Sequence, residues 1–141
     1  MLIELTATKS GNWSTVCDSI GHEKPQFINE TGERMWLSDL KTMIEILHIY
    51  EFSALRFSED DGSITLSLNE IDIVENGKDE EEARLKLGNS ILEYSLDYYN
   101  EYEMYSHSTN RKKHMPYIFK ALIIQNPRNI GDMVKCQNGK D

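Results

Sequence analysis

Histidine and cysteine side chains are common nucleophiles and transition-metal ligands, but in this chain they form no pattern typical of either role. None of the histidines has the i, i+4 partner with an intervening acid that places zinc ligands on one helix face. They are His22, His48, His107 and His114. Cys17 and Cys136 stand far apart, without a zinc spacing or a histidine nearby to act as a base. We therefore expect no metal site, no cofactor and no catalytic site.

An acidic run at residues 79–82 offers oxygen ligands to a hard cation, but it lacks the loop spacing and the glycine of a calcium site. Asp79 followed three residues later by Glu82 is the spacing of a capping box, and acids at a helix start lie at the positive end of its dipole. The run therefore favours a solvated helix start. The glycines are spread one per turn and form no phosphate loop, so a small enzyme of unknown chemistry is the least favoured interpretation.

Five tyrosines recur at helical spacing after this run. They are Tyr94, Tyr98, Tyr99, Tyr102 and Tyr105. The acids between them disfavour nucleic acid as the ligand, and a buried stripe accounts for the inner members. The helix nevertheless reaches its C-terminal end with more aromatic rings than a stripe requires. We expect its exposed edge, around Tyr98, Tyr102 and Tyr105, to bind a partner.

One basic cluster, at residues 110–114, precedes the last predicted helix. It contains Arg111, Lys112, Lys113 and His114. Cations at a helix N-terminus are electrostatically unfavourable for that helix, so a role in binding competes with a plain charged loop. We expect the cluster to contact an acidic surface or a phosphate and to complete the partner-binding surface.

The composition predicts a globular protein of acidic character. The chain has 141 residues, of which 39% are hydrophobic and 28% charged, with a net charge of -9. Such a charge repels nucleic acid and anionic lipid and suits a basic protein partner. No apolar run reaches the length of a signal peptide or a membrane span. We expect a cytoplasmic protein that does not associate with a membrane.

The first unit, residues 1–52, has the predicted order β-α-β-β-α. A strand is predicted at residues 2–5, and a helix at 8–20 that Gly21 would end. A hairpin follows at residues 26–29 and 34–37. Ser38 is expected to cap the helix whose apolar stripe begins at Leu40. Trp36 lies in the hairpin, which is too small to bury its apolar residues alone, so we expect a homodimer here.

The second unit, residues 53–125, has the predicted order β-β-β-α-α, which gives an α+β fold with an antiparallel sheet and a long helix. A hairpin at residues 54–57 and 64–68 is followed by a change of phase at 69–70 and a third strand ending at Glu75. The helix that follows has a wide apolar stripe. Its members are Ala83, Leu85, Leu87, Ile91, Leu92, Tyr94, Leu96, Tyr98 and Tyr99. A last helix spans residues 114–124 with Pro116 in its first turn, and residues 126–141 form a tail.

The stretch 56–123 resembles the antitoxins of bacterial type II toxin–antitoxin systems of the RelB/RelE class. The resemblance rests on residues 64–73, on the tyrosine-bearing helix 81–102 and on residues 110–117. Its β-β-β-α order is similar to the HicB antitoxin fold. The first fifty residues resemble the Phd/YefM N-terminal domain, with residues 24–29 and 32–38 in the place of its hairpin. The resemblance implies an antitoxin that neutralises a basic RelE-like toxin by masking its active surface and represses its own operon as a dimer.

Operator DNA is the partner that charge supports least. Through residue 54, four lysines and arginines face eight carboxylates, a net of -4, whereas DNA-binding domains normally carry a basic footprint. If this unit contacts DNA, Lys9 and Arg34 are the candidate residues, and binding should be weak and sensitive to salt. A DNA-binding autorepressor without a toxin remains the alternative.

Overall fold

A computed structural model describes residues 13–22, 24–30 and 32–139. It divides the chain into two units, Met1–Ile46 and Leu47–Asp141, whereas the sequence places a boundary at residues 52 and 53 and a separate tail after residue 125. The boundary comes earlier because a short 3-10 helix, Leu47–Ile49, contacts a helix of the second unit.

The first unit contains a hairpin with a helix on either side of it in sequence. Its elements are α1 (Trp13–His22), β1 (Gln26–Glu30), β2 (Glu33–Leu37) and α2 (Leu40–Ile46). The strands pair antiparallel as predicted, with Ile28 opposite Met35, and Gly32 has the positive φ of 81° that the turn requires. Helix α1 continues beyond Gly21 because glycine also tolerates helical φ. The predicted strand at 2–5 and the predicted helix start at residue 8 lie outside the described residues.

The residue that caps α2 is Asp39 and not Ser38. The Asp39 carboxylate accepts a hydrogen bond from the backbone N–H of Thr42 at 2.9 Å, which satisfies one of the free donors at the helix start. The hydrogen bonds from Thr42 also lower the pKa of Asp39. The Ser38 hydroxyl instead donates to the Asp39 carbonyl at 3.1 Å. Asp and Ser cap about equally well, so the pattern alone could not separate two adjacent candidates.

The second unit is built on an antiparallel meander. Strands β3 (Ser53–Ser58) and β4 (Ile64–Leu68) form the predicted hairpin, with a φ of 86° at Gly62 in its turn. The third strand, β5 (Val74–Gly77), begins later than predicted and includes the residues expected to close it. Ile71 and Ile73 lie in a bend before β5, held by a hydrogen bond from the Leu68 N–H to the Ile73 carbonyl at 2.9 Å. The phase change at 69–70 therefore marks a bend of several residues.

The long helix α3 (Glu80–Asn100) begins with the predicted capping box. The Asp79 carboxylate accepts from the Glu82 N–H at 2.8 Å, and the Glu82 carboxylate accepts from the Lys78 N–H at 2.6 Å. The chain then breaks at Glu101, whose φ of -115° and ψ of 40° are not helical, so the helix does not run through Tyr102. The remaining elements are α4 (Tyr102–His107), a 3-10 helix (Lys112–His114), α5 (Met115–Ile124), α6 (Pro127–Asp132) and β6 (Lys135–Asn138).

The core of the second unit joins the alternating strand β4 to the stripe of α3, as predicted. Ile64, Leu66 and Leu68 alternate inward with the polar residues between them, and they share one cluster with Leu87 and Ile91. Two stripe members expected to be buried are not. Leu96 and Tyr99 are 46% and 58% exposed, and Tyr99 is covered in part by Phe119.

The segment after residue 125 completes the sheet and does not form a tail. Strand β6 pairs parallel with β3, which gives the order β5-β4-β3-β6. Helix α6 approaches α3 so closely that a Cβ on Gly88 would overlap the Pro127 carbonyl, and a Cβ on Gly131 would overlap the Arg84 carbonyl. The Arg84 guanidinium then donates to the Gly131 carbonyl at 3.0 Å and to the Val134 carbonyl at 2.7 Å.

Candidate functional site

An apolar, largely aromatic surface covers the outer side of the second unit where α3 ends. We call it the aromatic surface. Its members are Leu96, Tyr99, Tyr102, Met104 and Phe119. The rings of Tyr99 and Tyr102 both meet Phe119 edge-on, at centroid distances of 6.5 and 5.9 Å. Tyr99 and Met104 are 58% and 59% exposed. Apolar residues grouped in this way on a highly charged protein are typical of an interaction site.

Acids surround the aromatic surface at the junction of α3 and α4. A shallow cleft of about 670 Å³ there is lined by Glu101, Tyr102, Glu103, Met104 and two neighbouring polar residues. Neither Glu101 nor Glu103 has an ion-pair partner within the part of the chain that the structure describes. Tyrosine rings flanked by free carboxylates bury area while leaving charge to pair with cations of another protein.

Tyr98, which the sequence places on the exposed edge, is fully buried. Its ring stacks on Tyr105 at a centroid distance of 5.1 Å. Its hydroxyl donates to the Arg111 carbonyl at 3.0 Å, and burial raises the pKa of Tyr98. The expectation fails because α4 turns back at Glu101 and places Tyr105 over the ring. Tyr98 therefore supports the loop that follows α4 and takes no direct part in a surface.

Tyr102 and Tyr105 also differ in their exposure and in the residues that they contact. Tyr102 is 39% exposed, and its hydroxyl lies 3.3 Å from the Met115 sulfur. Tyr105 is half-buried, and the guanidinium carbon of Arg111 stands 4.8 Å from its ring centroid. This is within the range of a cation–π contact. Tyr102 belongs to the aromatic surface, whereas Tyr105 holds Arg111.

The predicted basic cluster forms an exposed loop at residues 110–114, which we call the basic loop. Arg111, Lys112 and Lys113 are exposed, and His114 is half-buried. The His114 ring nitrogen Nδ1 lies 2.8 Å from the Tyr94 hydroxyl. Burial, with the nearby Lys113 and Arg111 charges, lowers the pKa of His114. The lowered pKa favours the neutral form of the His114 ring, so the positive charge of the loop comes mainly from Arg111, Lys112 and Lys113.

Two adjoining clefts lie beside the basic loop, and we refer to them together as the loop cleft. They measure about 390 and 470 Å³ and share Ile71, Asp72, Arg111 and His114 in their walls. Lys113 lines the second of them, and Lys112 lines neither.

The structure does not test whether the two residues proposed for DNA lie together. Lys9 lies outside the described residues, and Arg34 is exposed on β2. Trp36 and Met35, on the same strand, are 38% and 44% exposed. The prediction of a DNA surface or of a dimer interface in the first unit stays a prediction.

Sequence reasoning missed one charged residue of the core. Lys120 is 5% exposed, and its amine donates to the Tyr50 carbonyl at 2.8 Å. Desolvation lowers the pKa of Lys120. The only signal in the sequence is a lysine within the otherwise apolar α5, and a lysine in such a helix is usually expected to lie on its exposed side.

In the part of the chain that the structure describes, no group of three or more His, Cys, Asp or Glu side chains is placed to hold a metal ion. Among the described helices, none is long and apolar enough to cross a bilayer. Both cysteines are unpaired thiols.

Comparison with known proteins places the chain in a family. A family profile described as PHD-like, antitoxin of toxin–antitoxin, RelE/RelB, TA system, matches residues 1–136. The crystal structure of a protein assigned as the antitoxin part of a toxin/antitoxin system from Syntrophomonas wolfei subsp. wolfei superposes with a TM-score of 0.84 at 24% identity, over 96% of this chain and 100% of that chain. This likeness shows the fold, and it confirms the predicted α+β class. None of the curated proteins matches. Because the family profile spans nearly the whole sequence, the chain belongs to the PHD-like antitoxins of RelE/RelB toxin–antitoxin systems.

Proposed function

We propose that this antitoxin neutralises a basic, RelE-like toxin by covering its active surface with the aromatic surface. The observation that carries the proposal is the exposure of Leu96, Tyr99 and Met104, at 46%, 58% and 59%, beside the ring contacts that join Tyr99 and Tyr102 to Phe119. Exposed tyrosine and methionine side chains are typical of the central contacts of protein interfaces. The mechanism is stoichiometric and needs no turnover.

Charge supports a basic partner for this surface. The chain has a net charge of -9, and the carboxylates of Glu101 and Glu103 beside Tyr102 have no internal cation within the described residues. Complementary charge accelerates the encounter of two proteins, while buried rings mainly set the rate of dissociation. A toxin with a cationic active groove fits both requirements.

The test is to co-express this chain, tagged, with the untagged basic reading frame beside its gene. We expect the wild type to retain the neighbour through purification and to restore growth. Tyr99→Ala should weaken both effects. Val74→Ala is the matched control, since Val74 is also an exposed apolar residue, at 56%, but lies on β5. If Tyr99→Ala retains the toxin and restores growth as well as Val74→Ala does, the aromatic surface is not the binding surface.

Operator binding is the alternative role, and a homodimer formed through the first unit would support it by presenting two weak patches together. Arg34 is the described residue that would contribute to such a patch, and it is exposed on β2. A mobility-shift titration of the chain on the DNA upstream of its gene tests this role. Binding that is strong at physiological salt and is lost in Arg34→Glu would favour the repressor.

A further inference from the structure

Arg111 differs from the other arginines of the second unit in having no carboxylate beside it. Arg56 and Arg84 share the Glu80 carboxylate at 2.6 and 3.0 Å, and Arg128 lies 3.3 Å from Glu81. Over the described ranges, no carboxylate approaches Arg111 to within salt-bridge distance. Among the arginines of the second unit, Arg111 is thus exposed without a counter-ion within the described residues.

The position of Arg111 is nevertheless fixed by aromatic residues. Its guanidinium stands over the Tyr105 ring at 4.8 Å, and its carbonyl accepts from the buried Tyr98 hydroxyl at 3.0 Å. The hydrogen bond between Tyr94 and His114 holds the other end of the basic loop. A cation held in place before binding loses little conformational entropy when a ligand arrives, which favours binding.

The two parts of the loop cleft differ in their balance of charge. Arg111 and Lys113 line the more basic side together with Asp72 and Glu70, and Glu93 and Asp97 line the more acidic side together with Asp72 and Arg111. The floor between them includes the buried Ile71. On the basic side, the Glu70 carboxylate is occupied by hydrogen bonds from the Ser53 backbone N–H, at 2.7 Å, and from the Ser53 hydroxyl. It is therefore not directed at Arg111.

We propose that the loop cleft binds a segment of the toxin that carries an acidic side chain, and that Arg111 and Lys113 receive its carboxylate. A guanidinium and a carboxylate form paired, charge-assisted hydrogen bonds, which suits the fork of Arg111. A basic residue of the same segment meets Glu93 and Asp97. The proposal rests on the proposed function. It extends the interface from the aromatic surface to a second site that recognises a charged side chain of the toxin.

A nucleic-acid backbone fits the same cleft less well. Asp72, Glu93 and Asp97 line it together with the cations, and they would repel a polyanion that passes through. A single carboxylate on a protein segment can pair with Arg111 and Lys113 while meeting fewer of these acids than a polyanion that passes along the whole cleft. The charge distribution therefore favours a protein segment.

The experiment is a calorimetric titration of the purified neighbouring gene product into single-site variants of this chain. We expect Arg111→Ala and Lys113→Ala each to raise the Kd by about tenfold or more, as a partly desolvated charge pair does. Lys112→Ala is the matched control, because it removes one exposed cation from the same loop but none from the cleft. It should change the Kd by less than about twofold.

Two further measurements keep the interpretation specific. Arg111→Ala removes both the charge and the packing on Tyr105. Arg111→Lys keeps the charge and should recover part of the affinity that Arg111→Ala loses. Thermal unfolding checks that each variant is folded. The affinity that Arg111→Glu loses should be restored when one acidic residue of the toxin, Asp or Glu, is replaced by lysine. Rescue by amidation of the toxin's C-terminus instead would identify its C-terminal carboxylate and contradict the side-chain assignment.

The outcomes separate this inference from the proposed function. If Tyr99→Ala weakens binding but Arg111→Ala and Lys113→Ala behave like Lys112→Ala, the loop cleft is not a toxin site and the proposed function stands. If the folded wild type shows no heat of binding, the proposed function fails and this inference fails with it. If Arg111→Ala reduces binding to a labelled DNA duplex and leaves toxin binding unchanged, the basic loop contacts nucleic acid and the inference is wrong.

Discussion

Replacement of Gly88 by alanine tests how firmly the C-terminal segment is packed on the long helix. In an isolated helix this change is stabilising by about 1 kcal/mol, because alanine restricts the unfolded chain more than glycine does. In this structure the new methyl group would overlap the Pro127 carbonyl of α6. The two backbones would have to move apart by about 1 Å before that contact reached 3.0 Å, the shortest distance that Cβ atoms normally keep.

The magnitude follows from what this separation breaks. Overpacking a close contact costs about 1–3 kcal/mol. The bonds from Arg84 to the Gly131 and Val134 carbonyls lengthen as α6 moves, and a hydrogen bond from a charged donor is worth about 1.5–3 kcal/mol. With one such bond lost and after subtraction of the gain in helix propensity, we expect a net loss of about 1.5–5 kcal/mol in the free energy of unfolding.

The assay is urea unfolding followed by circular dichroism, with hydrogen exchange to locate the damage. Exchange should accelerate most in α6 and β6. Asn89→Ala is the control, since Asn89 is the next residue of α3 and is exposed. It should be neutral or slightly stabilising. If Gly88→Ala is as stable as Asn89→Ala, the close approach of the two helices is not a feature of the folded protein.

Three further predictions concern the core, the stability of the fold at low pH and the first unit. Leu66→Ala removes a fully buried side chain and should cost about 2–5 kcal/mol in chemical denaturation, so an unchanged midpoint would contradict the packing of β4 on α3. Hydrogen bonds from Arg84 and Arg56 lower the pKa of Glu80 below its ordinary value near 4.5. Its carboxylate therefore stabilises the fold above that pH, and the contribution is lost as pH falls through the lowered pKa; a pH series of unfolding free energies should be flatter in Glu80→Gln than in the wild type. Self-association through the hairpin should appear in light scattering and be reduced in Trp36→Ala, and a monomer at high concentration would refute it.

The elements that local chemistry specifies were predictable from the sequence. The turn at Gly62, the capping box from Asp79 to Glu82 and the alternation of β4 each depend on a few neighbouring residues, and the structure contains all three. Ser38 and Asp39 illustrate the limit, because both are good caps and only the backbone path decides between them.

The C-terminal segment could not be predicted in the same way. Its two glycine contacts join residues far apart in sequence, and Gly131 in a short polar stretch reads as a loop. Its parallel pairing with β3 also has no local signature. A helix and a strand therefore lie where composition indicates a tail.

The exposure of the individual tyrosines in the candidate site was predictable only in part. Helical periodicity places Tyr98 and Tyr99 near the boundary of one stripe, but it does not say which ring a later element will cover. The break at Glu101 brings Tyr105 over Tyr98 and leaves Tyr99 in solvent. The exposed rings therefore lie about one residue further around the helix than predicted, and the binding of a partner by them and by the basic loop stays a prediction.

The central claim is that the aromatic surface binds the toxin. The most direct measurement is the affinity of the purified toxin for the double variant Tyr99→Ala/Tyr102→Ala, determined by calorimetry beside the wild type. Tyr99 is 58% exposed, whereas Tyr102 also contacts the Tyr98 ring and the Met115 sulfur, so the variant should fold with a modest loss of stability. Its binding free energy should be weaker by about 2 kcal/mol or more, as for central interface residues. An unchanged affinity with an intact fold would contradict the account.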